Sequence, residues 1–191
     1  AECHNALGFC YMQQGKDEQA EAAFKKALSL NPRFADALVN MGALALRRKA
    51  YDQAIDYSQK ALEIDKGNWS AHNNLGKAYY HQGRVREAIK AYQAALECKS
   101  VDRPEVVYLN MGFCYYHMRQ WAQASAAYEK AISLNTEFAY AYYCLAQVKF
   151  RQELYGEAWK AVGRAKELGY GPPAHFIKML EQAQPAPRKP D

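Results

Sequence analysis

Small and apolar residues return along this chain at a nearly constant interval. The pairs Leu7–Gly8, Met41–Gly42, Leu75–Gly76, Met111–Gly112 and Leu145–Ala146 stand 34, 34, 36 and 34 residues apart. Ala20, Ala54, Ala88, Ala124 and Ala158 keep the same steps, and so do Ala27, Ala61, Ala95, Ala131 and Ala165. Three ladders with one period define a repeat, and a period of this size marks a solenoid rather than a single globular core. Within a unit the spacing is helical. Ala20, Phe24 and Ala27 fall at i, i+4, i+7, the spacing of one helix face. Leu7, Gly8 and Tyr11 mark a first helix, Gly15 sits in the turn between the two, and Asn31–Pro32 ends the second. Each unit therefore predicts two helices. Gly8 and Ala20 let them approach closely, Ala27 lets the next unit dock, and larger residues at unit positions 4, 7, 11 and 24 fill the space between.

At these positions the chain resembles the tetratricopeptide-repeat (TPR) family, whose pattern places Leu-Gly at 7 and 8, Tyr at 11, Ala at 20, an aromatic at 24, Ala at 27 and Pro at 32. The resemblance spans residues 1–172 and implies an all-α, right-handed superhelical solenoid of five helix-turn-helix repeats: 1–34, 35–68, 69–102, 105–138 and 139–172. The second unit departs with Ala45 at position 11 and Ser58 at position 24, Tyr57 coming one place early. The fifth has Ala146, Lys149 and Val162 at positions 8, 11 and 24, and only Pro32 matches the family proline. Two extra residues around Asp102–Arg103–Pro104 predict a longer loop before the fourth unit. After Pro172–Pro173, which suit a helix start, Phe176, Met179, Leu180 and Ala183 again fall at helical spacing. A solenoid leaves its last unit bare, so 173–184 is predicted to cap the array, making 1–184 one solenoid domain. Residues 185–191 read as a disordered tail.

In the TPR family the first helix of each pair lines a concave groove through positions 2, 5, 6, 9, 12 and 13. Position 6 is Asn40, Asn74 and Asn110 in three consecutive units. An amide offers one acceptor and two donors, so such a ladder suits the backbone of an extended peptide, and it is similar to the asparagine ladder of the TPR domain of O-linked N-acetylglucosamine transferase. Its alternative is a hydrogen bond to a neighbouring helix. Position 13 supplies Arg47, His81 and His117, position 12 supplies Tyr80 and Tyr116, and position 9 supplies Lys77 and Phe113. That mixture points to a peptide of aromatic or acidic character. The carboxylate clamp of chaperone-binding TPR proteins does not fit: Asn5, Phe9, Asn40, Ser70 and Asn74 occupy its places, and only Asn40 matches.

Net charge is +5 with acids and bases interleaved, whereas nucleic-acid binding gathers basic residues on one face. No apolar run reaches the length of a membrane span; Phe34 to Leu46 is broken by Asp36 and Asn40. The five cysteines form no CxxC pair. Cys3 and Cys10, two helical turns apart, are too distant for a disulfide, and free buried thiols are expected, which favours a reducing cytoplasm. His81, His117 and Cys114 lack the convergent ligand spacing of a metal site and the oxyanion element of a nucleophile pair. No cofactor and no enzymatic activity are expected. The chain does not begin with Met and starts inside a helical pattern, so it reads as part of a longer protein. The insertion followed by Leu109 to Cys114 (LNMGFC) and the LGYGPPAHFIKML tail resemble bacterial type IV pilus pilotin-like TPR lipoproteins, which implies secretin assembly at the envelope and a periplasmic or outer-membrane-anchored location behind an upstream lipoprotein signal. A TPR targeting module of a larger enzyme such as a glycosyltransferase, and a cytosolic adaptor, remain the alternatives, with self-association left open. The common expectation is a non-catalytic scaffold holding a partner protein or peptide.

Overall fold

Packing small residues at a fixed period forces helices to stack in pairs, and the chain does so. The computed structural model describes residues 1–184. Among them are eleven α-helices and no strand: α1 (Glu2–Gln13), α2 (Asp17–Leu30), α3 (Ala35–Arg47), α4 (Tyr51–Ile64), α5 (Trp69–His81), α6 (Val85–Glu97), α7 (Pro104–His117), α8 (Trp121–Leu134), α9 (Ala139–Arg151), α10 (Tyr155–Glu167) and α11 (Ala174–Ala183). The odd helices up to α9 are the first members of the five pairs and the even ones the second. No helix among the described residues is long and apolar enough to cross a membrane. The segment 185–191 expected as a tail lies outside the described residues.

The turn inside each pair recurs with one geometry. Gly15, Lys49, Gly83, Arg119 and Glu153 all take positive φ, between 58° and 77°. Between pairs the chain runs through 31–34, 65–68 and 135–138, while the connection 98–103 carries two more residues, where the sequence places its insertion. Pro104 then opens α7 in the first turn, where its missing N–H costs nothing.

The packing divides the chain into two compact units, Ala1–Asp102 and Arg103 onward. In the first, the alanine ladders form the junctions between pairs. Ala20 shares a cluster with Met41 and Leu44, Ala61 with Leu38 and Ala71, and Ala54 with Ala45 and Ala78. In the second unit Ala124 and Ala131 cluster with Ala141 and Val148. There α11 lays Phe176 and Leu180 on Tyr143, Ala158, Trp159 and Val162. The Trp159 indole N–H donates to the Gln184 carbonyl at 2.9 Å, which fastens the end of α11 to α10.

Lys149, where a tyrosine is the rule, is an ion-paired residue rather than a defect. Its ammonium lies 3.1 Å from Glu129 and 2.9 Å from Glu157. Burial works against its charge, but these two carboxylates outweigh it and leave its pKa raised. All five cysteines are free, and the expectation of buried thiols holds for only some of them. Cys114 and Cys144 are buried and Cys98 partly so, whereas Cys3 and Cys10 are exposed.

Candidate functional site: the inner face of the first three repeats

Within the first unit the first helices of successive pairs lie side by side, α1 against α3 and α3 against α5, so residues at one unit position meet residues of the neighbouring repeat. In the first unit this produces a concavity of about 380 Å³, lined by Asn5, Ala6 and Phe9 of α1, Asp36, Val39 and Asn40 of α3, and Asn68 and Ser70 at the start of α5. Asn68 caps α5, its side-chain oxygen accepting from the Ala71 N–H at 3.0 Å, which satisfies a donor that a helix N-terminus otherwise leaves open. Amides, a hydroxyl and one carboxylate make up the polar lining, and it includes no cation.

The asparagine ladder is fixed by bonds from repeat to repeat. The Asn40 amide N–H donates to the Asn5 side-chain oxygen at 2.9 Å. The Asn74 amide donates to the backbone carbonyl of Val39 at 3.1 Å, and Asn74 is buried. Asn40 therefore sits in the concavity with one donor engaged, while Asn74 lies behind it and clamps α5 to α3. Asn110 is half-buried on α7, in the second unit.

Position 13 also reaches backwards. Arg47, at the exposed end of α3, donates from its guanidinium to the Met12 carbonyl and sits 3.1 Å from Asp17. His81 stacks on Tyr51 with ring centroids 5.1 Å apart and planes within 10°. Arg151 donates to the Tyr116 hydroxyl at 3.3 Å. Tyr80 and Lys77 are half-buried on α5. In the first unit the structure thus places Asn40 in the concavity, and Arg47, Lys77, Tyr80 and His81 toward the C-terminal halves of α3 and α5. Arg47 and Lys77, the cations expected to favour an acidic ligand, lie outside the lining of this concavity.

The second unit carries Asn110, Phe113, Tyr116 and His117 on α7. Phe113 is half-buried, its ring 5.9 Å from Tyr128 and 6.1 Å from Tyr140. Tyr116 meets Trp121 edge-on at 5.1 Å, and His117 is exposed. The row continues through residues that sequence reasoning passed over. Tyr140 touches Tyr143 and Tyr170 at 6.0 and 5.3 Å, and Tyr143 touches Tyr170 at 5.2 Å. Tyr140 and Tyr143 occupy positions 2 and 5 of the fifth repeat, so the same register carried one unit further identifies them. Burial, first of all, pushes the Tyr140 hydroxyl up to about 12, so it stays a neutral donor at ordinary pH. Among the described residues no three His, Cys, Asp or Glu side chains gather as a metal site.

Known proteins share this architecture. Residues 1–98 match the family described as the cilia and flagella-associated protein 70 middle TPR-like domain, and residues 106–138 match the tetratricopeptide repeat. The type IV pilus assembly protein PilF of Pseudomonas aeruginosa is 36% identical over 91 residues, which cover 48% of this chain and 35% of PilF. The chain thus spans about a third of the length of that curated relative. A solved structure of Pseudomonas aeruginosa PilF superposes with a TM-score of 0.87 at 26% identity, covering 95% of this chain and 82% of that one. The structure of PilW, a type IV pilus biogenesis factor, gives the same TM-score at 22% identity over 95% of this chain and 84% of its own, a likeness of fold. The periodic alanines, the paired helices and these matches agree: the chain belongs to the tetratricopeptide-repeat family, as a protein-interaction scaffold with relatives in type IV pilus biogenesis.

Proposed function

We propose that the inner face of α1, α3 and α5 holds an extended segment of a partner protein. The concavity lined by Asn5, Asp36, Asn40, Asn68 and Ser70 carries this reading. Its side chains match backbone amides and carbonyls rather than any one side chain, and Asp36 is its only ionised group, so the segment is neutral or basic where it crosses α3. Phe9, exposed at the rim, gives an apolar side chain a surface to lie on. Asn40 contacts the segment, and Asn74 holds α5 in place behind it. Arg47, Lys77, Tyr80 and His81 flank it on the first unit. Asn110, Phe113, Tyr116 and His117 form the contact surface of the second. The likeness to PilF supports assigning this binding to assembly of a bacterial pilus or envelope machine; in that case the partner is a component of that machine.

Peptides recovered by panning a random display library against the chain test the site by fluorescence polarisation. Asn40→Ala and Asp36→Lys are each expected to weaken them by about fivefold, roughly 1 kcal/mol. Lys160→Ala, on α10, leaves them unchanged. Full-strength binding to the Asp36→Lys/Asn40→Ala double variant, with helicity intact, refutes the reading.

A further inference from the structure

One helix end lacks the bulk that the other repeats place there. At unit position 26 the chain carries Lys26, Lys60, Lys130 and Arg164, but Ala94 in the third repeat. At position 30 it carries Leu30, Ile64, Leu134 and Leu168, but Cys98 in the third. A long cation and an aliphatic side chain are thus missing from the same place. The helix α6 also stops at Glu97, one position short of α2, α4 and α8.

A cavity of about 510 Å³ lies here, lined by Asp65 and Gly67 of the α4–α5 connection, His72 of α5, and Ala94, Glu97 and Cys98 at the end of α6. All of these belong to the first compact unit, and none lines the inner-face concavity. The walls are braced. The Gly67 N–H donates to the Asp65 carboxylate at 3.0 Å, and His72 Nε2 lies 3.1 Å from the Lys66 carbonyl. The Cys98 thiol turns back along α6 and donates to the Ala94 carbonyl at 3.3 Å, which leaves the space beside it open.

The charge missing from this place is positive. In the fifth repeat Arg164 donates to Glu167 at 2.9 Å. Glu97 holds the position of Glu167, but Ala94 holds that of Arg164, so the same pairing has no donor. Asp65 adds a second carboxylate, and the end of α6 adds the partial negative charge of a helix C-terminus. Lys66 and Lys99 also line the cavity, yet theirs are not the charges that act at Cys98. Burial first, then the carboxylates of Asp65 and Glu97, hold that thiol above its usual range. Asp65, Lys66, Glu97 and Lys99 are exposed, so the cavity is an open notch, whereas a free small molecule is ordinarily enclosed over most of its surface. We propose that this notch receives a lysine or arginine side chain projecting from a partner protein, its cationic head on Glu97 and Asp65 and its aliphatic stem beside Ala94 and Cys98. The partner supplies the cation that the other four repeats carry at position 26.

Amino acids blocked at both backbone ends test this on the full chain by NMR titration. The Nα-acetyl methylamides of lysine and arginine are expected to shift the Gly67, Ala94 and Lys99 amide signals saturably, and those of norleucine and glutamate to leave them in place. Glu97→Gln should weaken the lysine compound by about threefold, the size of an exposed ion pair. Ala94→Lys restores the residue type of the other repeats and should abolish the shifts while the rest of the spectrum stays as in the parent; Cys98→Leu, which refills the second gap, should do the same. A lysine compound that gives no saturable shift, or that binds parent and Ala94→Lys alike, overturns the proposal. So do equal shifts with norleucine, or saturable shifts with glutamate, because Lys66 and Lys99 then set the preference. Free lysine binding more than about tenfold tighter than its blocked form also overturns it, because the ligand is then an amino acid and not a side chain of a protein.

Discussion

The glycine at unit position 8 makes room for a ring. A Cβ built on Gly76 falls 2.4 Å from a ring carbon of Tyr92, and one on Gly112 falls 2.3 Å from Tyr128. Gly8 stands in the same relation to Phe24 at 2.6 Å. In the second repeat Ser58 replaces the ring, is fully buried, and donates its hydroxyl to the Ala54 carbonyl at 2.7 Å. A Cβ at Gly42 comes no nearer than 3.0 Å to that hydroxyl oxygen, and stays 3.5 and 3.6 Å from the Ala54 carbonyl and the Asn74 amide. Gly76→Ala is therefore expected to destabilise the fold by about 1–2 kcal/mol, the overpacking cost less the gain in helix propensity. Gly42→Ala should stay within about 0.5 kcal/mol of the parent, because the propensity gain offsets a mild contact. Urea denaturation compares them, and equal losses would show that the ring is not what the glycine accommodates. Asn74 illustrates the same dependence on a neighbour. Its groove position suggests a ligand contact, and one of its amide N–H groups donates to the Val39 carbonyl.

The turns and the last helix show where element-level strain and support lie. The left-handed residue at unit position 15 is glycine in the first and third repeats but Lys49, Arg119 and Glu153 in the others. A side chain in that region crowds the following carbonyl, at a cost of roughly 1–2 kcal/mol, part of which glycine returns through its greater freedom when unfolded. Arg119→Gly is expected to stabilise the chain by about 0.5 kcal/mol, read as a higher melting temperature; no gain, or a loss, would mean the Arg119 side chain contributes more than its backbone costs. The helix α11 is proposed to act as the cap. Leu180 is fully buried against the α9–α10 pair, whereas Met179 beside it is 41% exposed. Leu180→Ala should cost about 2–4 kcal/mol and Met179→Ala less than about 0.5 kcal/mol. Deleting 172–191 should lower the melting temperature and promote self-association by baring Tyr143, Trp159 and Val162. A truncated chain that stays monomeric and melts like the parent would assign α11 a different task.

Across the whole molecule the response to alkali separates the two compact units. Burial pushes the Cys114 and Cys144 thiols up to about 12 from an ordinary 9.0, and Tyr140 rises to about 12 as well, again through burial first. All three lie in the second unit. A folded pKa above the unfolded one means that the unfolded chain releases its proton first. The stabilisation is complete below pH 9 and is lost as pH rises toward 12. Denaturant midpoints measured from neutral pH upward should fall over this window, with the signals of α7–α10 lost first. The Cys114→Ala/Cys144→Ala variant should start lower but decline less steeply. An identical decline in parent and variant would remove the buried thiols as the cause.

The helices, their pairing and the longer connection before α7 follow from spacings of three, four and seven residues and from the recurrence of small side chains. These are local requirements of helix geometry, repeated often enough to be read without coordinates. The polar bonds have a different origin. Asn40 to Asn5, Asn74 to Val39, Arg47 to Met12 and Arg151 to Tyr116 each link residues 35 positions apart, through side chains with several donors. Periodicity brings such residues onto adjacent helices, but only the tertiary packing settles which acceptor each donor takes. It is that choice which leaves Asn40 in the concavity with one N–H on Asn5 and ties Asn74 to the Val39 carbonyl.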